Sequence, residues 1–277
     1  MDLFADAVLA ACIESLTATC QRGYAEAHAH AFPALGASWA AVAGGVATYL
    51  ELGSSANGTF GVGMSGPVSA EEFDALDRFF RDRDARPVLS VCPLADSSLV
   101  HHLEARGYAA CGFENVLARE LCESDRFDAA EIGVDVVVAG TAHAREEWAS
   151  VVSAGFAAPD EPTATELRLG RSAAAKPDSQ LFMAYVDGRP AGVGELFIDG
   201  DVALLTADTT LPAFRRRGVQ SSLQRARLEA ARDAGCILAA TESLPGSVSQ
   251  RNMERVGFHI VYTRVEALGP ALADERN

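Results

Sequence analysis

Leu211-Pro-Ala-Phe-Arg-Arg-Arg-Gly-Val-Gln-Ser-Ser-Leu223 is the stretch that decides how this chain is read. Ahead of it, Val202-Ala-Leu-Leu-Thr-Ala-Asp-Thr-Thr210 is an apolar run with the character of a strand. Behind it, Gln220 to Ala234 carries Leu223, Leu228, Ala231 and Ala234 at helical spacing, and Gly235 ends the segment. A strand therefore feeds a tight, basic, glycine-containing turn that opens directly into a helix. The first turn of a helix has backbone N–H groups without internal partners and a partial positive charge. Gly218 has no side chain to bar a ligand from that backbone, and Arg215, Arg216 and Arg217 add full charges beside it. Such a turn is a seat for a pyrophosphate.

By itself, Arg215-x-x-Gly218-x-Gln220 is a weak pattern, equally compatible with a solvated arginine cluster at a helix start. Its surroundings sharpen it. After the helix come a short strand, Cys236–Thr241, and then Pro245-Gly-Ser-Val-Ser-Gln-Arg-Asn-Met-Glu-Arg-Val-Gly-Phe258. From Val134 to Val265 this order resembles the GCN5-related N-acetyltransferase (GNAT) superfamily. The acetyl-CoA loop of that family has the pattern Gln/Arg-x-x-Gly-x-Gly/Ala, followed by a helix, a strand and an Asn-containing helix ending in Gly-Phe. Gln220 departs from the pattern, standing where the family has Gly or Ala.

Upstream, the segments are a strand at Val134–Ala139, helices at Thr141–Ala154 and about Ala164–Ala174, and a hairpin. The hairpin joins Leu181–Val186 to Ala191–Ile198 through Asp187-Gly188, a strong turn signal. The first half repeats part of this order. Its elements are an N-terminal helix, the apolar stretch Ser38–Leu50, a strand near Thr59–Met64 and a helix from Ser69 to Arg83. A strand at Pro87–Cys92, a helix at Ser97–Arg106 and a strand at Phe113–Arg119 complete it. The expected fold class is α/β (α+β): a GNAT-like mixed, mostly antiparallel sheet flanked by helices, in two tandem copies. The expected domains are 1–125, a degenerate copy without a cofactor loop, and 126–277, the acetyltransferase copy. The polar segment Glu120–Gly133 carries the boundary.

Gly61-Val-Gly-Met-Ser-Gly66 satisfies the glycine pattern of a dinucleotide loop. However, Pro67 and Val68 intervene before the helix, and Ser69 with Glu72 forms a capping box. Glu71 and Glu72 set two negative charges where phosphate would have to sit. That turn is therefore expected to be structural.

The net charge of −15, concentrated in the first half, argues against nucleic acid, since phosphate neutralisation needs a basic face. Six cysteines without paired metal-ligand spacing suit a reduced, cytoplasmic protein. The first twenty residues hold acidic but no basic side chains, unlike a signal peptide. No apolar run approaches bilayer length, so no membrane partner is expected. The histidines lack partners at metal spacing, and no metal or covalent nucleophile is expected.

The resemblance implies direct transfer of an acetyl group from acetyl-CoA to an amine of a small molecule or peptide. The pantetheine arm would add to the strand backbone at Asp208-Thr209-Thr210-Leu211. The pyrophosphate would lie on Arg215, Arg216, Arg217, Gly218, Val219 and Gln220, and Asn252 would contact the cofactor. Many family members carry a tyrosine acid four residues before the Gly of Gly-Phe; here that residue is Met253. Ser249 or Tyr262 could protonate the thiolate in its place. Glu195, a carboxylate in an otherwise apolar strand, is the first candidate base, followed by Asp208 and Glu242. The acceptor is expected near Ala154–Thr163, with Trp148 and Phe156 as apolar walls. The first half would shape the acceptor cleft or make an oligomer contact, such as a homodimer. The rival is a non-catalytic acyl-CoA-binding or scaffold protein, which Met253 and Gln220 leave open.

Overall fold

The computed structural model describes residues 3–127 and 131–271. The described residues divide into two compact units: the first comprises those up to Val116 and those from Val261 onward, the second those from Leu117 to Ile260.

In the second unit the strands are the end of β5 (Ala109–Glu120), β6 (Val134–Val138), β7 (Ser179–Val186), β8 (Arg189–Asp199), β9 (Val202–Thr210) and β10 (Leu238–Ser243). Their order is β5-β10-β9-β8-β7-β6. β6 through β9 form an antiparallel meander, and β10 joins β9 in parallel. The β7–β8 turn is made by Asp187 and Gly188 at φ 53° and 70°, the left-handed pair that a two-residue hairpin needs.

Four helices cover this sheet: α4 (Ala142–Ala157), α5 (Ala164–Ala175), α6 (Val219–Asp233) and α7 (Val248–Arg255). Side chains alternate across the strands as the pleat requires. Phe182, Ala184, Leu196, Ala203 and Leu205 pack with Val219, Leu223, Leu228 and Ala231 of α6. Leu181, Met183 and Val193 face the other way, onto Trp148, Val151 and Val152 of α4. Thr141, Thr163 and Ser247 cap α4, α5 and α7 with their hydroxyls.

The first unit holds α1 (Ala7–Ala31), β1 (Ser38–Val42), β2 (Gly45–Tyr49), β3 (Gly58–Phe60), α2 (Ala70–Arg81), β4 (Val88–Val91) and α3 (Ser97–Ala105). The first part of β5 and β11 (His259–Leu268) complete it. Its strand order is β1-β2-β3-β4-β11-β5. The apolar stretch 38–50 is thus a hairpin, turning at Ala43 and Gly44, both left-handed. Ser69 and Glu72 make the expected capping box. A Cβ on Gly61 would touch the Glu14 carbonyl, and one on Gly63 would touch Val68, Ala95 and Leu99. Those glycines serve close packing.

The division differs from the expected 125/126 boundary. It falls at Leu117, and the last strand belongs to the first unit, where Val265 pairs with Val91 and Leu268 with Val88. Pairing between residues so far apart in sequence leaves no local period to read.

Among the described residues no helix is long and apolar enough to cross a membrane, and no cluster of His, Cys, Asp or Glu is placed to hold a metal ion. All six cysteines are free thiols; Cys111 and Cys122 are exposed, whereas Cys20, Cys92 and Cys236 are buried. Burial pushes the Cys92 thiol up to about 11. A thiol reagent at pH 8 should therefore label Cys111 and Cys122 first, as peptide mapping would reveal. Rapid labelling of Cys92 in the native protein would contradict this packing.

Candidate active site

The site grows from a fork in the second unit's sheet. β10 runs beside β9 only from Val202 to Leu205, the last partner being Thr241. At that point the Thr241 hydroxyl donates to the Leu205 carbonyl at 2.9 Å. Among the described residues, β9 continues to Thr210 with β8 on one side only. Leu211 N–H donates to the Ala191 carbonyl on β8. By alternation the backbone groups of Thr210, and of Asp208 two residues earlier, point to the open edge.

A β-bulge sits at the fork. Glu195 pairs with Thr206, but Val193 pairs with Thr209, so β9 holds one extra residue. Ala207 takes it up at φ 54°, rare for a residue with a side chain. The extra residue reverses the alternation. Ala203 and Leu205 face α6, and beyond the bulge it is Asp208 that reaches Arg227 of α6. Thr209 then faces α4, where a Cβ on Gly155 would come within 2.0 Å of its hydroxyl.

Arg227 is fully buried. It bonds the carbonyls of Glu195, Thr206 and Leu223, and its other terminal nitrogen meets the Asp208 carboxylate. A Cβ on Gly194 would strike this guanidinium, so a glycine there makes room for it. The second Asp208 oxygen is buried without a hydrogen-bond partner. Burial pushes the Asp208 carboxyl above its ordinary range, with Arg227 acting against the shift.

The end of β9 leads through a 3-10 turn at Pro212–Phe214 into the arginine loop. Arg216 and Gly218 are both left-handed, and Gly218 is the N-cap of α6, which no side chain caps. The N–H groups of Val219, Gln220 and Ser221 are thereby presented at one helix end. Arg215 turns back toward the Thr210 carbonyl at 3.5 Å, and Arg217 pairs with Asp187 at 3.1 Å. Glu131 lies across Gly218: a Cβ there would be 2.2 Å from its Cγ. The Glu131 N–H donates to Ser222, and its carboxylate is 3.4 Å from Arg225.

Gln220 ties this loop to α7. Its amide donates to Ser249 at 2.8 Å and accepts from Asn252 at 2.7 Å. The arginine loop, with Ser249 and Asn252 bonded to Gln220, is thus one neighbourhood at the end of β9. Glu195 is not part of it. It leaves the sheet on the α4 and α5 side, buried, with Lys176 at 2.5 Å and the Ser179 hydroxyl on the same oxygen. Tyr262 belongs to the first unit, where its hydroxyl donates to Glu14. Met253 is buried in the core beside Thr241. Trp148 is buried as well, its ring N–H on the Gly194 carbonyl, and forms no cleft wall, whereas Phe156 is exposed.

An open cleft of 430 Å³ adjoins the arginine loop, lined by Glu147, Ser150, Val151, Ala154, Arg189, Pro190, Leu211 and Phe214. The Tyr185 hydroxyl donates to Glu147 at 2.5 Å, and that carboxylate pushes the phenol up to about 12. Arg227, Gln224 and Glu131 were not singled out from sequence. A buried arginine on a helix face carries no motif, and Glu131 is a contact brought about by folding.

Residues 137–258 match the family model "Acetyltransferase (GNAT) family". The matched segment lies within the second unit. The fold is similar to that of a GCN5-related N-acetyltransferase from Kribbella flavida, at 17% identity and a TM-score of 0.63, covering 90% of this chain and 97% of that one. A tandem GNAT protein from the clavulanic acid biosynthesis pathway aligns at 16% identity and a TM-score of 0.56, over 80% and 73% of the two chains. A GCN5-related N-acetyltransferase from Sphaerobacter thermophilus aligns at 15% and 0.53, over 68% and 61%. No curated protein matches the sequence.

Proposed function

We propose that the second unit is an acetyl-CoA-dependent N-acetyltransferase acting by direct transfer to an amine of a small molecule or peptide. The observation that carries this reading is the unpaired edge of β9 running straight into an uncapped helix start. An extended arm ending in a pyrophosphate fits that track: backbone groups of Asp208 and Thr210 hold the arm, and the α6 N–H groups with Arg215 to Arg217 hold the anion. Acetyl-CoA supplies an activated thioester; the chain's own residues position it and move protons.

Asp208 is the base in this reading. A carboxyl held above its ordinary range by burial, with one buried oxygen unpartnered among the described residues, suits removal of a proton from an ammonium. Glu195 is engaged by Lys176 and Ser179, which leaves it a structural part in holding α5 to the hairpin. The Ser249 hydroxyl accepts from Gln220, so its own proton remains available to the leaving thiolate. A thiol titrates near ~8.5, so this help is modest. The cleft beside Glu147 is the site we assign to the acceptor; its carboxylate suits a cationic group.

The first unit is a cofactor-free copy in this account. Its corresponding helix, α2, begins under a capping box with Glu71 and Glu72 in the first turn. That end offers a pyrophosphate repulsion.

Thiol release from acetyl-CoA across a panel of amines tests the proposal. Turnover with at least one amine is expected. Asp208→Asn should lower kcat about a hundred- to ten-thousandfold with little change in KM for acetyl-CoA. CoA binding without turnover on any amine would favour the scaffold reading instead.

A further inference from the structure

Gln224 is a side chain for which the described residues provide no partner. It lies on α6 and is 1% exposed, and both its amide nitrogen and its amide oxygen are buried without a hydrogen bond. A buried amide left unsatisfied at both ends is costly, and native proteins keep such groups where something else completes them. An apolar residue of the same size would be cheaper if packing were its only task.

Its place on the helix says what completes it. Gln220, one turn earlier on the same face, reaches Ser249 and Asn252 of α7; Arg227, three residues later, reaches Asp208 at the bulge. Gln224 therefore stands between the arginine-loop end of the fork and its bulge end. Two further buried atoms lack partners in this stretch: the second Asp208 oxygen and the Thr210 hydroxyl. The bulge turns Asp208 toward α6, and Thr210, two residues on, shares that face. Both a donor and an acceptor are thus held ready along the open edge of β9.

We infer that the Gln224 carboxamide recognises a secondary amide of the pantetheine arm, accepting from its N–H and donating to its carbonyl. This inference rests on the acetyl-CoA reading above and adds a recognition residue to it. Gln224 reads the arm and not the nucleotide end, which lies with the arginine loop.

The experiment is calorimetric titration of Gln224→Leu and Gln224→Met with CoA and with adenosine 3′,5′-bisphosphate, beside thermal melting of the ligand-free variants. Loss of the amide should weaken CoA binding about tenfold while the affinity for the bisphosphate, which has no arm, stays unchanged. The ligand-free melting temperature should hold or rise, because an unsatisfied buried amide has been replaced by an apolar group. Unchanged CoA affinity with a lower melting temperature would make Gln224 a structural residue and overturn the inference alone. Equal weakening for both ligands would place its effect at the arginine loop and also overturn it. If the unaltered protein binds no CoA, the acetyl-CoA reading itself fails and takes the inference with it.

Discussion

Gly218→Val is expected to lower the affinity for CoA about a hundredfold or more while leaving the protein folded. Two effects add. Gly218 sits at φ 75°, a conformation that a β-branched residue resists, so valine pulls the start of α6 out of shape. Its side chain would also stand over the N–H groups of Val219 to Ser221, where the pyrophosphate is held in this account. The Glu131 side chain already lies within contact of that position, which raises the alternative that glycine is needed there only to accommodate Glu131. Glu131→Ala separates the two. It removes a carboxylate from the anion seat and should leave CoA binding equal or tighter, whereas Gly218→Val should abolish it. Retained affinity in Gly218→Val, measured by calorimetry on protein whose melting is intact, would remove the loop from the cofactor site.

Arg264→Met should be among the most destabilising single substitutions in the first unit, costing about 3–5 kcal/mol. Arg264 and Glu14 are both fully buried, with Nε 2.7 Å from the carboxylate. Tyr262 donates to the same carboxylate oxygen at 2.9 Å, and Arg264 also bonds the Thr17 hydroxyl at 3.1 Å. Burial beside Glu14 pushes the Tyr262 hydroxyl well above its ordinary range, so it stays a donor at any physiological pH. Removing the guanidinium leaves Glu14 charged in the interior with one neutral donor. A fall in melting temperature of roughly 10 °C is expected. Changing Glu14 to Leu as well should recover most of it, since a buried pair exchanged for apolar residues is often neutral. Melting of the two variants decides the matter. A single variant as stable as the parent would mean the pair is exposed to water.

The second unit was legible in the sequence because its elements carry strong local signals. Asp187-Gly188 fixed the hairpin, and the strand–arginine loop–helix succession from Val202 to Ala234 matched the structure to within a residue or two. The arginine loop is legible for the same reason, being contiguous. What escaped depends on contacts between distant segments. The bulge at Ala207 has no glycine to announce it, yet it decides that Asp208 faces α6. Glu195 was the first candidate base as a carboxylate in an otherwise apolar strand. Its partners, Lys176 and Ser179, come from the end of α5 and the start of β7. Likewise β11 reads as an ordinary final strand, and only its pairing with β4 assigns it to the first unit.

Calorimetric titration of CoA into the pure protein tests the central claim most directly, because it counts sites. The arginine loop offers an uncapped helix start with three arginines, whereas α2 is capped and begins with two glutamates. One site per chain is predicted, weakened by salt as a pyrophosphate on an arginine loop should be. No binding, or two sites of comparable affinity, would contradict the account.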